Sequence, residues 1–109
     1  MRNFAATASA IACFMVSNAE ATVTIIGTRG CGEWANAKNT SKIDYEAMSV
    51  WVLGFLNGLA VATDKDVLRG LDVFAIPLWM DKYCSSNPLS NLPDGAVALF
   101  AELKKRNVR

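Results

Sequence analysis

Two cysteines, Cys31 and Cys84, constrain this chain more than any other feature, because the residues before them read as a leader and the loop they close takes in most of what is left. Arg2 supplies a positive start, Phe4 to Ser17 an apolar run, and Ala19-Glu20-Ala21 an A-x-A cleavage site, the pattern of a secretory signal over residues 1–21. The mature chain is expected to begin at Thr22 and to work in a bacterial periplasm. Lipid attachment at Cys13 is the alternative, but Phe14-Met15-Val16 prolong the apolar run where a polar tether is expected, so Cys13 is discarded with the signal. The apolar run is also shorter than the ~20 residues that cross a bilayer, so no stable membrane span is expected after cleavage.

Removing the signal from 109 residues leaves 88, which is one small domain: an extended arm over 22–30 and a helical domain over 31–106. In an oxidising compartment the remaining cysteines most simply pair, closing a loop of 54 residues. The chain-entropy model gives about 4 kcal/mol for such a loop, comparable with the net stability of a small domain. A redox-active pair would need the C-x-x-C spacing that lowers a thiol pKa. Two cysteines without a histidine do not make an ordinary zinc site, and no cofactor is expected. The mature chain carries 10 basic and 9 acidic residues, which leaves no nucleic-acid footprint. Its one basic cluster, Lys104-Lys105-Arg106 with Arg109, suits the C-terminal end of a helix.

The segment Thr22 to Ile26 is β-branched and reads as extended, ending in the turn-rich Gly27 to Gly32. A short helix from Cys31 to Lys38 places Trp34 near the disulfide, and Asn39-Thr40-Ser41 breaks it. The longest helix runs from about Tyr45 to Ala62, with Asp44 placed to cap it. Being apolar nearly all round, it is expected at the centre, with Met48, Trp51, Val52, Phe55, Leu56 and Leu59 as its bulk. Gly54 and Gly58, one turn apart, are expected to let another backbone approach within the chain, with a dimer contact or membrane insertion as the alternatives, although the run from Ala47 to Ala62 is only 16 residues and includes Asn57.

Pro77 either sits in the first turn of a helix running to Tyr83 or kinks a longer one. Both place Trp79 and Tyr83 on one face beside Cys84. Asn91-Leu92-Pro93-Asp94 starts a last helix to about Arg106, with Leu92, Val97, Phe100, Ala101 and Leu103 toward the core. The fold class is therefore all-α: three to four helices, cross-linked by one disulfide.

Cys31 followed by Trp34, then Trp51-x-x-Gly54-Phe55-x-x-Gly58, then Trp79-x-x-x-Tyr83-Cys84-x-x-Asn87-Pro88 and Leu99-x-x-Glu102-Leu103, resemble the small periplasmic helical proteins of the HdeA-like group. The Rap1a/Tai type of immunity protein has a similar plan. The first resemblance implies an acid-stress chaperone, dimeric at neutral pH and loosened in acid. The second implies a rigid module that neutralises an effector. A small exported factor of a conjugative plasmid, including the killing kind, is a third expectation.

No histidine base, nucleophile elbow, phosphate loop or metal-ligand cluster stands out, so an enzyme is not expected. Asp81 beside Lys82 reads as solvated surface. The expected function is protein binding, with a partner of unknown identity or a second copy of the chain. Phe55, Trp79 and Tyr83 are the expected contact residues, since aromatic anchors dominate binding where they are accessible.

Overall fold

The structure, a computed structural model, describes residues 22–107; the signal expected over residues 1–21, with Cys13 in it, and Arg109 lie outside the described residues. Four helices follow in order: α1 (Cys31–Thr40), α2 (Lys42–Thr63), α3 (Ala75–Ser86) and α4 (Leu92–Arg106). The break between α1 and α2 is a single extended residue, Ser41, shorter than the expected Asn39 to Ser41. Its hydroxyl accepts the Asp44 amide at 3.2 Å, so Ser41 is the cap of α2 and Asp44 lies inside the first turn. Pro77 occupies the first turn of α3, where its missing N–H is not needed, and the helix continues to Ser86. Asn91 caps α4 by accepting the Asp94 amide at 2.9 Å, with Pro93 just inside and three basic residues in the last turn.

Each helix contributes one stripe to a common core. Cys31, Trp34 and Ala37 come from α1, Met48, Val52 and Leu56 from α2, Ile76, Met80 and Cys84 from α3, and Leu92, Ala96, Leu99, Phe100 and Leu103 from α4. The disulfide Cys31–Cys84 joins the start of α1 to the end of α3 within this core. Beside it the arm is stitched to the start of α4: Cys31 donates to the Ser90 carbonyl at 2.9 Å and Leu92 to that of Arg29 at 3.0 Å. Residues 22–26 lie ahead of that stitch in neither helix nor strand and are exposed.

Three expectations are corrected. The long helix is not buried all round: Met48, Val52 and Leu56 are buried, Trp51, Leu53, Phe55 and Leu59 are half-buried against the core, and Ile43, Val50 and Val61 are 80, 65 and 82% exposed. With apolar residues on every side, its sequence carries no preference for which face turns inward. Within the chain, Gly54 and Gly58 meet no neighbour: a Cβ at either would find nothing within 4 Å. The close helix approach is made instead by Gly95 of α4, where a Cβ would stand 2.6 Å from Met80 Cε and 3.0 Å from Tyr83 Cδ2. Finally, Val97 and Ala101 face solvent, because the inward stripe of α4 passes through Ala96, Leu99 and Leu103.

Candidate functional site

Two features stand out among the described residues, a half-buried polar junction and an apolar groove. Asp81 of α3 is the centre of the junction. Its Oδ1 accepts the Trp34 indole N–H at 2.8 Å and the Tyr45 hydroxyl at 2.9 Å, and its Oδ2 accepts Lys38 Nζ at 2.9 Å. The rings of Trp34 and Tyr45 lie against each other, 4.9 Å between centroids. One carboxylate thus joins α1, α2 and α3, correcting the expectation that Asp81 is solvated surface; its side chain is 17% exposed. Its partners are 36 to 47 residues away in sequence, so no local pattern announces them.

The junction's electrostatics are consistent with a structural role. Burial alone pushes the Asp81 carboxyl up, but the hydrogen bonds from Lys38, Trp34 and Tyr45, with the Lys38 charge, outweigh it and hold the group below the usual carboxylate range. Tyr45 is pushed up to about 12 by burial, by its hydrogen bond to Asp81 and by that carboxylate's charge. Both shifts favour one arrangement, tyrosine protonated and aspartate ionised, in which neither group exchanges protons near neutrality.

The groove lies between the first half of α2 and the start of α3 and measures about 490 Å³. Val50 and Leu53 form one wall, Val73, Phe74 and Pro77 the other, with Lys42 and Glu46 at the rim. Phe74 is 77% exposed although it is anchored: its amide donates to Asp72 Oδ1 at 2.9 Å, and Ala75 closes the turn onto the Asp72 carbonyl at 2.9 Å. A large aromatic held in the open on a fixed turn, next to an apolar trough, is the arrangement of a binding anchor. Sequence reasoning passed over Phe74; its signal was the Asp72-x-Phe74 turn directly ahead of Pro77.

The expected contact residues do not gather there. Phe55, Trp79 and Tyr83 are each half-buried. Phe55 stacks on Trp51 at 5.3 Å, and Trp79 on Tyr83 at 5.6 Å. The Trp79 indole donates to Glu102 at 3.1 Å, tying α3 to α4, and the Tyr83 hydroxyl pairs at 2.9 Å with Ser90 in the loop between them, so both polar ends are engaged within the molecule. Trp79 and Tyr83 share one face of α3 as expected, with Cys84 next to Tyr83 on the buried stripe, while Phe55 belongs to α2. Among the described residues no three His, Cys, Asp or Glu side chains stand together to hold a metal ion. No known protein family, curated protein or solved structure matches the chain.

Proposed function

We propose that this protein is a periplasmic binding module of the immunity or adaptor kind, acting without catalysis and engaging a protein partner through the groove between α2 and α3. The observation that carries this reading is Phe74, exposed on a turn that Asp72 holds in place, beside an apolar wall of Val50, Leu53 and Val73. Such a surface is already formed, so binding orders little of the chain. The disulfide is compatible with an exported, oxidised protein of this type.

The HdeA-like alternative, a chaperone that loosens in acid, has one observation behind it: the Asp81 carboxylate joins three helices, and its contribution is lost as pH falls through its lowered folded pKa. A plasmid-associated exported factor would use the same surface and differ only in its partner. Affinity capture of the tagged protein from periplasm, at neutral pH and at about pH 3, tests these readings together with the variant Phe74→Ser. One stoichiometric partner at neutral pH, lost in Phe74→Ser, is the expected result. A mixed set of clients captured only in acid, and equally by both forms, would overturn it in favour of the chaperone.

A further inference from the structure

The arm ahead of the stitch, Thr22-Val23-Thr24-Ile25-Ile26, is an unbroken run of β-branched residues, the type most at home in a strand. All of them are exposed, Val23 and Ile26 at 75 and 83%, and among the described residues none of their backbone N–H or C=O groups meets a backbone partner. The base of the arm is fixed. Gly27 bends the chain at φ 71°, and just beyond it Arg29 and Cys31 are bonded to Leu92 and Ser90, with Cys31 also held by the disulfide. We infer that residues 22–26 add as a strand to the open edge of a β-sheet in a protein partner.

The backbone chemistry selects that occupant. Among the described residues the molecule has no strand, only the single bridge of Gly30 with Asn91, so it offers the arm no sheet of its own. Two copies pairing arm to arm would make a lone two-stranded ribbon, which is marginal in water. A lipid surface would leave the same N–H and C=O groups without partners. A sheet edge supplies them, and residues 22–26 would span about 16 Å of it, a common strand length. Thr22-Val23-Thr24-Ile25 alternates hydroxyl with apolar, so a strand made of it turns Val23 and Ile25 toward the partner's core and Thr22 and Thr24 away. Stiff β-branched side chains also lose less freedom on ordering than a linker of long, flexible ones. This surface is separate from the groove between α2 and α3 and does not depend on it.

The probe is a cyclic β-hairpin peptide with one edge closed by N-methylation and the other open, titrated to millimolar concentration into the isotope-labelled, disulfide-bonded protein and followed by NMR. The expected result is that arm amides shift and that amide exchange slows at least tenfold at every second arm residue, with the helix amides unchanged. Val23→Ser combined with Ile25→Ser weakens binding at least tenfold, Phe74→Ser leaves it as it was, and a peptide methylated on both edges does not bind. Equal binding of that doubly methylated peptide, or slowed exchange without the two-residue alternation, would make the arm a merely apolar tail and overturn the inference. An arm that never shifts would overturn it as well. So would a peptide that seats at Phe74, an outcome that leaves the groove reading standing.

Discussion

Removing the Asp81 carboxylate by degrees should unfasten three helices by degrees. In Asp81→Asn a carbonyl oxygen still stands where Oδ1 accepts Trp34 and Tyr45, but both bonds lose their charged acceptor and Lys38 loses its counterion. Hydrogen bonds to charged groups contribute about 1.5–3 kcal/mol and neutral ones about 1, so this variant should lose about 2 kcal/mol. In Asp81→Ala both bonds vanish, and the Trp34 indole, on a residue 1% exposed, keeps a buried donor without an acceptor, for a loss of about 4 kcal/mol. Lys38→Met removes only the half-exposed partner and should lose no more than about 1 kcal/mol. Urea unfolding followed by far-ultraviolet circular dichroism reads these differences directly. At a slope of about 1 kcal/mol per molar urea the midpoints should fall by about 2 M for Asn and about 4 M for Ala, which leaves the latter barely folded. Trp34→Phe combined with Asp81→Ala should show a coupling of about 1–3 kcal/mol. If Asp81→Ala behaves like Lys38→Met, the carboxylate is a surface ion pair and the junction has no part in holding the fold.

Acid and alkali should act on this junction with opposite signs. Asp81 has a lowered folded pKa, so its contribution is present above the unfolded value of about 4 and is lost as pH falls through the folded one, measurable as a steeper acid-unfolding limb than in Asp81→Asn. Tyr45, raised to about 12, contributes below the unfolded value near 10 and that stability is lost as pH rises toward 12; Tyr45→Phe should flatten this alkaline limb. Opening the disulfide by reduction, or replacing both cysteines with alanine, should remove about 4 kcal/mol in denaturant titrations, given the 53-residue separation. Gly95→Ala should destabilise by about 1–2 kcal/mol despite its helix propensity, because the added methyl collides with Met80 in a closed core. Gly54→Ala, in open space, should stabilise the protein by about 0.5–1 kcal/mol in the same titrations.

Local chemistry was readable from the chain and distant pairing was not. Asn91 with Pro93 and the Cys31–Cys84 link follow from preferences that act over a few residues or from the number of cysteines, whereas local chemistry left Pro77 either in a first turn or at a kink, and the structure has it in the first turn. The orientation of α2 did not, because a helix apolar on all sides has no amphipathic direction; only packing against α1 and α4 chooses Met48, Val52 and Leu56. Gly54 and Gly58 looked like the close approach because they are one turn apart, yet a lone Gly95 makes it, and a single glycine has no spacing to notice. Asp81 was misread for a related reason. Adjacent Lys82 suggested solvent, while the residues that bury it arrive from two other helices. In α4 the expected Leu92, Phe100 and Leu103 are buried, and the two misses, Val97 and Ala101, each lie one position, about 100° of helix turn, from a buried residue.

Seen as a body under tension, the cross-link divides the molecule unequally. It ties the first residue of α1 to the tenth of α3, so α4 hangs outside the closed ring and is held by its seven buried residues, the stitch at Arg29 to Leu92 and polar ties such as Trp79 to Glu102. A pull on the two ends of the chain therefore peels α4 and the arm away and then stops. The 54 residues from Cys31 to Cys84 stay off the line of force until the sulfur bond itself is broken, so stretching the oxidised protein leaves that segment unextended.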